Sequence, residues 1–338
     1  MALPRRIAVL VLLVLTTVLG GSCFAGMVQM PGTSWSGALG TPRPELTQAL
    51  RDDVTHLAGT IGERNLDREP GHLEQAGVWL EQRLTALGYD VKKEPFTVGE
   101  RTVVNLIVEQ TGTSAPKELV VVGAHYDSAP GTPGADDNAS GVAVALALAA
   151  HVKTRSPART VRFVFFTNEE PPWFETVSMG SEVHAKATRA RNDDVKVMLS
   201  LETLGLFTDE ANSQHYPWPF SLAYPSTGNF VAFVADTDSR ELVRESVKVF
   251  REVARVPSEG ASVPSFIEGV DWSDHGPFWR QNYRAFMVTD TAPFRNPHYH
   301  QRSDTPDRLD YARLALVTEG LFAVVEHLSR PGGYAPRP

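Results

Sequence analysis

Leu119-Val120-Val121-Val122-Gly123-Ala124-His125-Tyr126-Asp127-Ser128 decides how this chain folds. A short unbroken run of apolar, largely β-branched residues reads as a strand buried on both faces. Such strands belong to parallel sheets that helices cover on either side. The pattern recurs at Val161 to Phe166, with Glu169-Glu170 just beyond it. It appears again at Val197-Met198-Leu199-Ser200-Leu201, which ends at Glu202. In open α/β sheets, ligands bind in the crevice outside the carboxyl ends of the strands. These three strands each deliver an acid or a histidine at that end, a coincidence that solubility does not explain.

The flanking sequence completes the frame. Pro44 to Leu57 and Gly71 to Leu87 carry helical spacing, the second ended by Gly88. Val91 to Thr97 and Thr102 to Gln110 read as paired strands joined through Gly99-Glu100-Arg101. Gly141 to Val152 is nearly all Ala, Val and Leu and predicts a buried helix. Arg240 to Ala254 predicts an amphipathic helix with Ser239 as its N-cap, Ala285 to Thr289 a late strand and Leu309 to Leu328 a closing helix. Strands alternating with helices make this an α/β protein: a central mixed, mostly parallel sheet flanked by helices on both faces. The 204–224 stretch is irregular, contains Trp218, Phe220 and Tyr224, and reads as an insertion beside the site.

Five segments then offer metal-ligating side chains: His125, the Asp136-Asp137 pair, Glu170, Glu202, and one of His298 or His300. Taken singly, each is an ordinary surface residue or cap, and an acidic pair is commonly a solvated face. Together they supply the donors with which a catalytic zinc keeps a position open for water. Carboxylates and imidazoles in these numbers, with a spare Glu beside one of them, suit a hydrolytic two-metal centre. Asp127, two residues past His125, is placed to accept the other imidazole N–H.

The strings HYDS (125–128), PGADDNASG (133–141), FTNEE (166–170), MGS (179–181), SDH (273–275) and YHQRSDTPD (299–307) carry a resemblance. In this order they resemble the M28 family of zinc metallo-aminopeptidases, over about residues 45 to 330 and most closely a bacterial branch with NEEPP and MGS. The resemblance implies a zinc-exopeptidase-like fold. It implies two Zn²⁺ ions held by His125, Asp137, Glu170, Glu202 and His300, with Glu169 as general base. It selects Asp137 over Asp136 and His300 over His298. It implies hydrolysis of the N-terminal peptide bond of peptides or proteins, with the SDH loop bordering the substrate pocket. Many members carry Asp where this chain has Glu202, whose extra methylene adds ~1.5 Å of reach. A one-zinc glutaminyl-cyclase-like transferase and a non-catalytic receptor-like ectodomain share the fold. The retained DDNAS string argues against the first and the complete ligand set against the second. Trp173-Phe174 and a longer loop before Met179 favour the cyclase, and those two aromatics are candidates to line a pocket.

Composition sets the outer bounds. The 338 residues are 42% hydrophobic, enough for a large core, and the net charge of −8 is dispersed with no basic stripe for nucleic acid. Arg5-Arg6, the apolar run Ile7 to Leu19 and the small residues up to Ala25 read as an export signal over residues 1–25. Its destination is the periplasm or the exterior. Cys23, the single cysteine, follows Leu19-Gly20-Gly21-Ser22 in a lipobox-like setting, the one route here to a membrane anchor. Residues 26–44 read as a flexible tether, 45–331 as the catalytic domain and 332–338 as a tail.

Overall fold

A computed structural model describes residues 21, 22 and 24–332. Cys23 and residues 1–20, which hold the expected export signal and lipobox, lie outside the described residues, as do residues 333–338 of the tail. Eight strands form one sheet in the order β1-β2-β4-β3-β5-β8-β6-β7. They are β1 (Lys92–Val98), β2 (Arg101–Gln110), β3 (Ala115–His125), β4 (Arg159–Phe166), β5 (Asp194–Glu202), β6 (Val231–Ala235), β7 (Ser258–Ser262) and β8 (Ala285–Thr289). The central four, β4-β3-β5-β8, run parallel. β2 joins β4, and β6 joins β8, antiparallel. The expected mixed, mostly parallel α/β sheet is therefore the fold.

Side-chain alternation in β3 explains why the run is apolar throughout. Val120, Val122 and Ala124 enter the larger core, while Leu119 and Val121 enter a second cluster with Phe166, Met198 and Phe278. The larger core carries α1 (Pro44–Val54), α2 (Pro70–Ala86), α3 (Gly141–Lys153), α5 (Arg240–Val253) and α8 (Tyr311–Leu328). Opposite lie α4 (Gly180–Ala190) and α6 (His275–Arg280). A single turn, α7 (Ala292–Arg295), follows β8. Among the described residues, no helix is long and apolar enough to cross a membrane.

Two local expectations differ. Ser239 precedes α5, but its hydroxyl does not cap that helix; it accepts from the Ala285 N–H at 3.2 Å, seating β8 instead. The stretch read as a flexible tether is bound to the body: Gly40 N–H donates to Arg255 O, and Arg251 donates to Pro31 O and Gly32 O at 3.1 and 3.2 Å. Composition marks such a segment as unable to fold alone, and here α5 supplies its partners.

Candidate metal centre

The three strand ends meet at one point. His125, the last residue of β3, is fully buried. Its Nε2 lies 3.3 Å from Asp137 Oδ1, 3.3 Å from Glu202 Oε2 and 3.8 Å from Glu169 Oε2. His300 Nε2 lies 3.1 Å from Asp137 Oδ2 and 3.1 Å from Glu170 Oε2. Two triads result, His125–Asp137–Glu202 and Asp137–Glu170–His300, each with ligand atoms within 4.8 Å of one another. Asp137 belongs to both and offers one oxygen to each. Asp136 points elsewhere, accepting from the Gly205 N–H and from Asn296. His298 pairs with Ser303 Oγ at 2.8 Å.

Asp127 does not accept the expected hydrogen bond from His125, whose Nδ1 is 3.5 Å away and has no hydrogen-bond partner. Its two carboxylate oxygens accept the Glu169 and Glu170 N–H groups at 3.2 and 3.1 Å, so it ties the end of β3 to the loop after β4. Asp304 performs the same task for the aspartate loop, taking the N–H groups of Asp136 and Asp137 at 2.9 and 3.2 Å. Asn138 links that loop to β5, donating to Leu201 O at 2.8 Å and accepting from the Thr203 N–H at 3.1 Å. Gly134 turns at φ +64, where a Cβ would lie 2.4 Å from Asp137 O. His300 holds φ +56, a left-handed conformation that costs a non-glycine residue of order 1 kcal/mol or more. The Tyr299 ring stacks on its imidazole at 3.9 Å.

Electrostatics describe a site built for cations. Burial pushes the Glu170 carboxyl up to about 8, with Asp137 adding to the rise and His300 opposing it. Burial also raises Glu169 well above the carboxylate range; the His125 imidazole opposes this, and Glu202, Glu170 and Asp274 reinforce it. Burial alone would lower the His300 imidazole, yet Asp137 and Glu170 outweigh it and hold it at about 10. The buried atoms His125 Nε2, His300 Nε2 and Glu170 Oε1 have no hydrogen-bond partner. Unpaired buried polar atoms are costly, and converging ones mark an ion site. Three protein donors per triad, all N or O, fit a divalent ion with an open position.

One working residue escaped the sequence reading. Arg64 is fully buried and donates to Tyr126 O, Pro133 O and Gly134 O, a cation beneath the carboxylates. Its signal was a lone Arg in a loop, which nothing in the sequence distinguishes from a solvated one. Within the SDH string, Ser273 Oγ donates to Glu202 Oε2 at 2.7 Å and so orients a candidate ligand just before α6 begins at His275.

Beside Glu202 opens an apolar cavity of about 120 Å³. The 204–224 insertion forms one wall with Tyr216, Phe220 and Tyr224, and the 263–272 loop forms another with Ile267 and Trp272. Trp173 and Phe174 are not among the lining residues; Trp173 packs against the larger core instead.

Known proteins share both sequence and fold with this chain. The model for peptidase family M28 matches residues 105–325. YfbL, an uncharacterized protein of Escherichia coli (strain K12), is 34% identical over 301 residues, which cover 86% of this chain and 91% of YfbL. YDR415C, a probable aminopeptidase of Saccharomyces cerevisiae, is 23% identical over 277 residues, 76% of this chain and 67% of that one. The structure of BSAP, a zinc aminopeptidase from Bacillus subtilis, superposes with a TM-score of 0.68 at 14% identity, covering 86% of this chain and 97% of BSAP. A glutaminyl cyclase from Tannerella forsythia has the same fold, with a TM-score of 0.61 at 19% identity over 83% of this chain and 98% of the cyclase.

Proposed function

Because the chain belongs to peptidase family M28, and is thereby a metallo-exopeptidase, we propose that it is an exported zinc aminopeptidase. One observation carries the reading: Asp137 is shared by two buried three-donor clusters. His125, Asp137 and Glu202 would hold one zinc ion, and Asp137, Glu170 and His300 the other. Bound there, the ions supply Lewis acidity for the scissile carbonyl and draw the pKa of water toward neutrality.

The residues divide the remaining work. Glu169 belongs to neither triad, yet its Oε2 is 3.8 Å from His125 Nε2. It takes a proton from the attacking water and returns it to the leaving amine. Asp127 holds the backbone of the Glu pair while Glu169 works. The cavity beside Glu202 receives the side chain of the N-terminal residue, and its aromatic and aliphatic walls select large apolar ones. Arg5-Arg6 and the apolar run to Leu19 support export, with the mature chain beginning after Ala25.

The test is one preparation from the exported fraction. Its mass should correspond to a chain beginning at Gly26, and metal analysis should give close to two zinc ions, with the Glu202 ion leaving first on dialysis. Leucyl and phenylalanyl substrates should be cleaved best in a panel that includes alanyl and N-terminal glutaminyl ones. Full activity without any divalent ion sinks the mechanism. A single zinc with cyclisation of glutaminyl substrates establishes the transferase instead.

A further inference from the structure

We propose that residues 26–34, directly after the export signal, back the outer wall of the substrate pocket and so help set its preference for large apolar residues. The proposal rests on the aminopeptidase reading above. The pocket wall is a stack of rings: Tyr216 lies on Tyr224 with centroids 5.6 Å apart, and Phe220 on Tyr224 at 6.4 Å. These rings line the cavity, and Met27 and Val28 pack against the cluster to which they belong. The insertion that carries the wall is otherwise open to solvent, with Trp218 83% and Leu222 77% exposed.

The segment is held by a dedicated set of donors. Arg240, Arg244 and Arg251 of α5 donate to the carbonyls of Gly26, Gln29, Pro31 and Gly32. Their spacing of four and seven places them on one stripe of the helix. Gly26, Met27 and Val28 end a short helix, residues 24–28, and beyond it the chain is irregular. Guanidinium-to-carbonyl bonds of this kind are charge-assisted and fix that irregular part. At the far end, Ser34 Oγ accepts from the Ser258 N–H at 2.9 Å, at the edge strand β7. Met30 sits so close to Gly260 that a Cβ there would lie 2.8 Å from Met30 Cγ. Gly260 in turn lines the cavity, and its carbonyl accepts from the Tyr224 hydroxyl at 2.7 Å. The path from α5 through the segment to the ring stack is thus continuous packing. Met27 and Val28 are positioning residues: they hold the wall from behind and do not touch substrate.

The test compares two double variants of the full chain: Met27→Ser with Val28→Ser, and the conservative Met27→Leu with Val28→Ile. The serine pair should raise KM for leucyl substrates about tenfold, the scale of one lost apolar contact in a pocket. Leucyl kcat, alanyl KM and zinc content should stay at wild-type values, and the conservative pair should restore leucyl KM. Amide hydrogen exchange over 216–224 should accelerate in the serine pair alone, a readout that needs no turnover. Unchanged exchange with unchanged leucyl KM overturns the proposal. So does an equal loss on leucyl and alanyl substrates together with zinc, which would make the segment a general brace. A wild-type chain that cleaves no aminoacyl substrate would defeat the aminopeptidase reading, while the exchange measurement still decides the wall.

Discussion

Glu169 and Glu170 are adjacent in sequence, and the two roles proposed for them rest on Asp127, which clamps both of their N–H groups at once. That clamp fixes the backbone, and the side chains part: Glu170 reaches His300 at 3.1 Å, while Glu169 stands 3.8 Å from His125 outside both triads. Replacing Glu169 by Gln keeps size and removes basicity. We expect kcat to fall by about 10²–10⁴, the usual contribution of general acid–base catalysis, with KM and zinc content little changed. Glu170→Gln should lose zinc along with activity, because it removes a donor. The reverse pattern, zinc lost from the first variant and kept by the second, would show that the roles are exchanged. The type and position of these side chains were legible in the sequence because each follows a buried strand. Which of Asp136 and Asp137 faces the centre was not, since adjacent residues of one loop differ only in direction. The Asp304 clamp and the Asn138 link set that direction, and both act across long stretches of chain.

Most elements that make their own signal were legible, although the apolar run of β6, Val231–Ala235, was passed over, and elements that borrow structure were not legible. β3, β4 and β5 announce themselves because both of their faces are buried. β7 is Ser-Glu-Gly-Ala-Ser, which no pattern marks as a strand; it pairs because β6 offers an edge. The 26–34 stretch is the extreme case, ordered by arginines more than two hundred residues away. The start of α4 shows how tightly such borrowed contacts are set. The Gly180 N–H donates to Thr167 O at 2.9 Å, and Gly180 O accepts from Asn105. A Cβ at Gly180 would lie 2.4 Å from both Thr167 O and Asn105 Oδ1. Thr167 stands two residues before Glu169, so relief of that clash displaces the catalytic loop. Gly180→Ala should cost about 1–3 kcal/mol in denaturant unfolding, the range for overpacking, and should lower kcat as well. Wild-type stability in this variant would mean that the helix start is free to move.

At the scale of the whole molecule, the fold gathers buried acid at one end of the sheet, and the proposed zinc ions would balance the charge that Arg64 leaves. That arrangement makes stability depend on pH in a direction the carboxyls fix. Burial raises Glu170 to about 8 and both Asp274 and Asp304 to about 7, against roughly 4 for such groups in an unfolded chain. Between those limits the ion-free folded chain holds more protons than the unfolded one, so its stability must fall as pH rises. His300, held at about 10 by Asp137 and Glu170, acts with the same sign above roughly 6.5, the ordinary histidine value. Chelated protein should therefore melt at a lower temperature at pH 8 than at pH 5.5. Zinc should reverse the order, because it binds the deprotonated ligands and its binding free energy adds to folding. Thermal unfolding with and without chelator at the two pH values checks this. A chelated chain whose Tm climbs from pH 5.5 to pH 8 would mean that the carboxyl cluster is already balanced by the protein alone, and the assignment of Glu170 and His300 to a cation would fall with it.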